Sequence, residues 1–174
     1  FGFEVFDVEE VLIHGGSIRI FVCRKGEHDI TNSVNQIIEK EEKASLFDIS
    51  RLNKFSEQVQ EHKKELRELL LEIKKTGKTI VAVSAPAKGM TLLNYCDIDS
   101  NIIDFITEKS PLKIGKYSPG AHIPIFSDEK LREKKIDFAL VLAWNFSDEI
   151  MENLSDFKNA GGKFIIPIPK PKIV

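Results

Sequence analysis

The chain has 174 residues, and its 25 lysines and arginines nearly balance its 27 aspartates and glutamates, for a formal net charge of −2 at pH 7. With 42% hydrophobic and 30% charged residues, this composition excludes a disordered tail. It also argues against a nucleic-acid partner, because a general nucleic-acid binder normally shows a marked basic excess.

No apolar run is long enough to span a membrane, and the first ten residues lack the features of a signal peptide. The two cysteines, Cys23 and Cys96, are too few for a disulfide framework or a four-cysteine zinc site, and they suit a reducing compartment. We therefore expect a cytoplasmic protein without a membrane partner.

The first part of the chain predicts two strands and a long helix. Residues 3–12 and 18–22 have strand-like patterns, and His14-Gly15-Gly16-Ser17 between them is a turn signal typical of a β-hairpin. From about residue 49 to residue 75, apolar side chains recur at alternating spacings of three and four, which predicts one long amphipathic helix. Asp48 is placed to cap the start of this helix.

The second part alternates short apolar runs with helical patterns. The predicted strands cover residues 79–83, 102–107, 123–125, 138–143 and 164–168, and helical segments lie between them, one of them over residues 147–158. Alternation of this kind indicates βαβ units with right-handed crossovers. We therefore predict an α/β fold, a Rossmann-like, mostly parallel sheet with helices on both faces, preceded by the hairpin and the long connecting helix.

The domain organisation follows from the same pattern. We expect residues 1–76 to form the N-terminal hairpin plus helical connector and residues 77–174 to form the Rossmann-like domain, together as one compact unit. Because the chain begins at Phe1 inside a strand-like pattern, we expect it to be a fragment of a longer protein.

The turn after the first strand of the second part is the first candidate site, since open parallel sheets bind ligands beyond the carboxyl ends of their strands. The glycines of the dinucleotide fingerprint G-x-G-x-x-G would fall at Ser84, Pro86 and Gly89, so only the third is present. Pro86 has no N–H and adds bulk where a backbone would approach a pyrophosphate, which disfavours a standard NAD site. Lys88 would be useful for binding phosphate, or it is a solvated loop lysine.

Glu108 ends the next predicted strand, at the place where Rossmann proteins put an acidic residue that accepts hydrogen bonds from ribose hydroxyls. Acidic residues at strand ends also occur for solubility alone. Trp144 and Asn145 directly follow the most apolar strand. They would line a pocket, or they are a packing residue and the cap of the next helix.

The loop over residues 109–122 is rich in glycine and proline, and a cluster of cationic or aromatic polar side chains in it comprises Lys113, Lys116, Tyr117 and His122. Such a loop would clamp a phosphate or a base, or it is a plain crossover loop. The hairpin tip at His14 offers a titratable imidazole, but its composition also fits a simple turn. No G-x-S-x-G elbow, Walker A motif or paired metal-ligand spacing is present.

Five segments together resemble the C-terminal domain of the sugar C-methyltransferases: IHGGSIRIFV, SAPAKGMTLLNYC, KIGKYSPGAHIPI, LAWNFSDEI and GGKFIIPIP. They occur in the family's order and cover essentially the whole chain. Compared with the family's pattern, Val83 and Ser84 replace Tyr-Gly, Met90 replaces Asn, Glu108 replaces Asp and Ala121 replaces Thr.

The resemblance implies a domain that holds a nucleotide-linked ketosugar for C-methylation. The expected ligand is a dTDP-sugar. It implies that Lys88, Lys116 and the helix start at Gly89 to Thr91 hold phosphates, that Glu108 holds a ribose or sugar hydroxyl, and that Trp144 and Asn145 line the pocket. The remaining expected substrate-binding residues are His14, Ser84, Tyr117 and His122.

The resemblance places the other parts of the enzyme outside these residues. S-adenosylmethionine would bind to a central methyl-donor domain, which would be the intramolecular partner of this chain, and zinc would bind to an N-terminal segment with cysteines. The base motif Tyr-His-Glu-His would lie upstream, so we expect no catalytic residue here and no activity of this chain alone.

Two other functions stay open on the residues themselves: a free-standing nucleotide-binding or regulatory module, and a fragment of an NAD(P)-dependent oxidoreductase. The oxidoreductase is disfavoured by Pro86 and by the absence of a Tyr-x-x-x-Lys pair.

Overall fold

A computed structural model describes residues 1–12, 16–133 and 135–174. The chain divides into two compact units, Phe1–Gln58 and Val59–Val174, which are described separately. Within the described ranges, no helix is long and apolar enough to cross a membrane. The division at residue 76, which the sequence predicts, stays a prediction.

The first unit contains a two-stranded antiparallel sheet and helical segments. Strand β1 (Phe3–Val11) pairs with β2 (Ser17–Arg24), and helix α1 (Asn32–Lys43) follows. The strands lie close to where the sequence predicts them, but His14, in the predicted turn, lies outside the described residues. The carboxylate of Asp7 accepts hydrogen bonds of 2.7 Å from the hydroxyls of Thr31 and Ser33, which join the start of α1 to β1.

The long helix α2 (Ile49–Lys75) has the predicted bounds. Its start is capped, because the Asp48 carboxylate accepts a hydrogen bond of 2.8 Å from the Ser50 amide. Leu66 and Leu70, in the second unit, are fully buried, whereas Leu52, in the first unit, is exposed. The predicted apolar stripe is therefore buried in the C-terminal half of the helix.

The second unit is a mixed α/β structure built on a six-stranded sheet in the order β5-β4-β3-β6-β7-β8. All neighbouring pairs are parallel except β7 and β8, which are antiparallel. Its strands are β3 (Ile80–Val83), β4 (Ile106–Glu108), β5 (Ile125–Ser127), β6 (Phe138–Val141), β7 (Lys163–Ile166) and β8 (Lys172–Ile173). Its other helices are α3 (Ala87–Tyr95), α4 (Lys130–Glu133), a 3-10 helix (Trp144–Phe146), α5 (Ser147–Asn153) and α6 (Ser155–Asn159).

Hydrophobic side chains are buried on both faces of this sheet. In β3, Ile80 and Ala82 belong to a cluster with residues of α2 and α3, and Val81 and Val83 belong to a cluster with residues of α4 and α6. Successive strand residues point to opposite faces, so the continuous apolar run of β3 fits a strand covered on both sides.

Some predicted helices and strands have different bounds in the structure. The predicted strand 102–107 begins only at Ile106, because the amides of Ile102 and Ile103 donate to the Asp99 carbonyl in a turn. The predicted helix 147–158 is two helices, separated at Leu154, where φ is −111° and ψ is 30°. Strand β8 was not predicted.

Candidate functional site

The candidate site lies at the carboxyl ends of β3, β4 and β6. From β3, the chain adds β4 and β5 on one side of β3 and then adds β6 and β7 on the other side of β3. Crevices of parallel sheets form where the strand order reverses in this way. Ser84 follows β3 with a left-handed backbone (φ 68°), and its amide donates a hydrogen bond of 2.8 Å to the Thr107 carbonyl of β4.

Glu108, at the end of β4, is held by four hydrogen-bond donors of this chain. Its Oε2 accepts from the Ala85 amide at 3.0 Å and from Lys113 Nζ at 3.1 Å. Its Oε1 accepts from the amides of Lys109 at 2.9 Å and Ser110 at 3.1 Å. A carboxylate has about four lone-pair positions, so a ligand hydroxyl would have to displace one of these donors.

The pKa of Glu108 follows from this environment. Burial disfavours the charged form, but hydrogen bonds from Ser110, Lys113, Ala85 and Lys109 outweigh burial and lower the pKa from its ordinary value. Glu108 is therefore a stable anion that fastens the end of β4 to the turn after β3.

Lys113 reaches this turn from the loop between β4 and β5. Its Nζ donates to the Ala85 carbonyl at 2.9 Å as well as to Glu108, and its side chain is 45% exposed. The sequence predicts Lys113 as part of a cationic loop but not as a site residue. Its role depends on a contact across 28 residues, which sequence spacing does not reveal.

Lys88, Trp144 and Asn145 form a cluster at the ends of β3 and β6. The Lys88 ammonium donates a hydrogen bond to Asn145 Oδ1 and lies 4.5 Å from the centroid of the Trp144 ring. Burial lowers the pKa of the Lys88 ammonium from its ordinary value. The indole face and the amide oxygen both attract the cation, so the cluster holds a positive charge beside the first turn of α3.

Gly89 allows α3 to approach the sheet closely. A Cβ at this position would lie 2.7 Å from Leu142 Cβ and 3.3 Å from the Pro86 ring. The residue thus has the packing role of the third glycine in dinucleotide-binding turns, although the first two positions are Ser84 and Pro86.

A cleft of about 250 Å³ opens at the same edge of the sheet. Its apolar lining includes Val83 and Ile150, and its polar lining is Ser84, Glu108, Lys109, Asp128, Glu149 and Asn153. Three carboxylates against one ammonium make this lining acidic. An adjacent cleft of about 610 Å³ shares Lys109, Asp128 and Asn153 with it.

The other predicted site residues lie apart from this arrangement. Thr91 is exposed, and its hydroxyl donates to the Ala87 carbonyl of its own helix at 3.2 Å. Lys116, Tyr117 and His122 are exposed, and their side chains make no hydrogen bond, ion pair or ring contact within the described residues. Whether any of them binds a ligand stays a prediction.

Several cleft residues were not among the sequence candidates. Lys109 and Asp128 directly follow β4 and β5, a position that signals a ligand site in parallel sheets. Glu149 and Asn153 are four residues apart on α5 and so share one face of it. The sequence pattern at strand ends indicates Lys109 and Asp128 as candidates. Glu149 and Asn153 could be identified only from the position of α5.

Within the described residues, no group of three His, Cys, Asp or Glu side chains could hold a metal ion. The acceptor positions of Glu108 are filled by donors of this chain. Where zinc and S-adenosylmethionine bind stays a prediction.

Comparison with known proteins identifies similarity over nearly the whole chain. The family described as "C-methyltransferase C-terminal domain" matches residues 12–169. The chain is also 33% identical over 174 residues to the C-methyltransferase NovU of Streptomyces niveus. This alignment covers 99% of the chain and 41% of that relative, so the chain spans about two fifths of the length of the curated relative it matches.

Proposed function

Because the chain belongs to the C-methyltransferase C-terminal domain family, we propose that it holds a nucleotide-linked ketosugar while another part of a longer enzyme delivers the methyl group. The single observation that carries this proposal is the position of the Lys88 cation at the edge of the sheet where the carboxylate-lined cleft opens.

The diphosphate would bind at the start of α3. The amides of Ala87, Lys88 and Gly89 have no protein acceptor within the described residues, as is usual for the first turn of a helix. These N–H groups and the positive end of the helix dipole favour an anion. The Lys88 ammonium beside them adds a charge-assisted donor.

The carbohydrate would occupy the acidic cleft. Carboxylates are strong acceptors for hydroxyl donors, and Asp128 and Glu149 line the cleft together with apolar side chains. A phosphate would be repelled from these carboxylates, so the charges of the site separate the two halves of the ligand. If the half-exposed Lys113 turned from Glu108 to a ligand oxygen, one acceptor position of Glu108 would become free for a ribose or sugar hydroxyl.

We further assign the second unit to the Rossmann-like folds. Renumbered within this unit, its strand order is 3-2-1-4-5-6, which is the order of dinucleotide-binding sheets. Its last strand is antiparallel, unlike the others. The fold would supply a rigid edge for the ligand.

Methylation of a carbon next to a ketone requires a base that removes a proton and close alignment of the resulting enolate with the methyl group. Holding the nucleotide on a rigid unit supplies alignment, which contributes several kcal/mol to lowering a barrier. S-adenosylmethionine would supply the methyl group. We assign no catalytic base to this chain, so it would be inactive alone.

Isothermal titration calorimetry with a dTDP-linked ketosugar, dTDP, UDP and S-adenosylmethionine tests the proposal. We expect the dTDP-sugar to bind and S-adenosylmethionine not to bind. Lys88→Met should weaken dTDP-sugar binding about 10-fold to 100-fold, because a charge-assisted hydrogen bond is lost. Lys158→Met, which changes an exposed lysine of α6, is the matched control and should bind normally.

Equal binding by both variants would contradict the role of Lys88, and binding of S-adenosylmethionine in place of the sugar nucleotide would contradict the proposed function. A methyl-transfer assay with this chain, the methyl donor and the ketosugar tests inactivity. Turnover would overturn that part of the proposal.

A further inference from the structure

Of the four donors that hold Glu108, one can leave without moving the backbone. The amides of Ala85, Lys109 and Ser110 belong to the turns after β3 and β4. The fourth donor is the Lys113 ammonium, 3.1 Å from Glu108 Oε2, at the end of a flexible four-carbon stem. The Lys113 side chain is 45% exposed, whereas that of Glu108 is 13% exposed. Lys113 is therefore the donor that a ligand could displace.

The Lys113 ammonium also lies beside the proposed diphosphate position. It donates to the Ala85 carbonyl at 2.9 Å, two residues before α3 begins at Ala87. An ammonium has three donors, and Lys113 uses two of them on Ala85 and Glu108. A rotation of its stem would bring the ammonium from Glu108 to an anion at the first turn of α3.

We propose that Lys113 is a specificity-determining residue that exchanges partners when the ligand binds. Its ammonium leaves Glu108 Oε2 for the diphosphate, and Oε2 accepts a hydrogen bond from the 3′-hydroxyl of the deoxyribose. The inference rests on the proposed function and extends it, because the exchange requires both ligand groups at once. The ammonium then keeps an anionic partner, and the carboxylate keeps four donors.

The exchange makes each half of the ligand a poor ligand alone. A nucleoside without phosphate would displace Lys113 from Glu108 and offer the ammonium no anion. Pyrophosphate would draw the ammonium away and leave the largely buried carboxylate short of one donor, which is costly for a charged group. A ligand shifts such an equilibrium only by its differential affinity for the two arrangements. The complete nucleotide is therefore favoured over either part.

NMR titration of the isotopically labelled chain with thymidine, inorganic pyrophosphate and dTDP tests the exchange. Lys113→Met keeps the apolar stem and removes the ammonium. We expect this variant to bind thymidine about threefold to tenfold more tightly than the wild type, because the acceptor position of Glu108 is already free. It should bind pyrophosphate about tenfold more weakly, because a charge-assisted donor is lost.

Two further variants control this comparison. Lys158→Met, at an exposed position of α6, should bind all three ligands as the wild type does. Lys113→Gln should shift the thymidine and pyrophosphate affinities in the same directions as Lys113→Met. It carries the test if thermal unfolding shows that Lys113→Met is not folded.

A purely structural role of Lys113 predicts a different pattern. If Lys113 only held the turn, its loss would weaken the binding of thymidine, pyrophosphate and dTDP alike. The wild type would also bind 3′-deoxythymidine diphosphate as well as dTDP, whereas the exchange predicts about tenfold tighter binding of dTDP. Unchanged or weakened thymidine binding by Lys113→Met, or equal binding of dTDP and its 3′-deoxy analogue, would overturn the exchange.

Titration with the dTDP-sugar separates this inference from the proposed function. A wild-type protein that binds the dTDP-sugar, and a Lys88→Met variant that binds it more weakly, support the proposed function whatever Lys113→Met does with thymidine. Absence of dTDP-sugar binding to the wild type would contradict the proposed function and the exchange together.

Discussion

The carboxylate of Glu108 accepts a hydrogen bond from the Ala85 amide at 3.0 Å and so joins the end of β4 to the first residues after β3. Lys113 completes the junction by donating to Glu108 and to the Ala85 carbonyl. The turn that leads into α3 is therefore held by a charged network before any ligand binds. Such pre-organisation reduces the entropy lost on binding.

Glu108→Gln should destabilise the protein by about 1–2 kcal/mol at pH 7, because hydrogen bonds to a charged acceptor are replaced by weaker ones. The lowered pKa of Glu108 means that the carboxylate contributes fully to the free energy of unfolding above the ordinary glutamate pKa of about 4.3. The contribution is lost as the pH falls through the folded-state pKa. Urea unfolding at pH 7 and pH 3 measures the difference.

The loss caused by Glu108→Gln should therefore shrink at pH 3. Glu152→Gln, which changes an exposed glutamate of α5, should have little effect at either pH. A loss of equal size at both pH values would show that the charge of Glu108 does not hold the turn.

Gly89→Ala should lower stability although alanine is a better helix former than glycine. The new Cβ would lie 2.7 Å from Leu142 Cβ, so helix and sheet must separate, at a cost of about 1–3 kcal/mol for overpacking. Thermal unfolding followed by circular dichroism measures this effect.

As a comparison, Gly115→Ala adds a Cβ that meets no atom within 4 Å, and only its positive φ of 80° opposes the change. Gly89→Ala should also weaken dTDP-sugar binding, because the start of α3 moves, and Gly115→Ala should not. A Gly89→Ala protein that is as stable as the wild type would contradict the close approach.

Leu66→Ala should cost about 2–5 kcal/mol, the usual range for removing a buried leucine side chain, since Leu66 is 0% exposed. Leu52→Ala, on the same helix, should cost far less because Leu52 is 49% exposed. Urea unfolding followed by circular dichroism reports both units, and fluorescence of Trp144, which is the one tryptophan of the chain, follows unfolding of the second unit. Equal losses for the two variants would contradict burial of only the C-terminal half of α2.

Trp144 should also report ligand binding. Its ring lies 4.5 Å from Lys88 Nζ, so a phosphate that draws the ammonium away changes the environment of the indole. We expect dTDP to change the Trp144 emission of the wild-type protein and to change it much less in Lys88→Met. Trp144 emission that responds equally in both proteins would place the bound phosphate away from Lys88.

Local patterns were sufficient for much of the fold. The spacing of apolar residues predicts α2 with its observed bounds, because a long helix repeats one pattern over many turns. The apolar runs around β3 and β6 predict buried strands, because a strand covered on both faces is apolar at successive positions. Strand β8 has two residues, too few for any period, and the helix break at Leu154 leaves the helical spacing of its neighbours intact.

Identification of the candidate site required both the sequence pattern and the tertiary structure. Residue types and positions at strand ends pointed to Ser84, Lys88, Glu108 and Trp144-Asn145, since those positions follow from the order of the elements alone. Tertiary structure decided which of them meet: Lys88 reaches Asn145 across 57 residues, and Lys113 reaches Ala85 across 28. A hydrogen bond requires two groups within about 3 Å, and only the packing of the sheet and its helices brings such distant residues together.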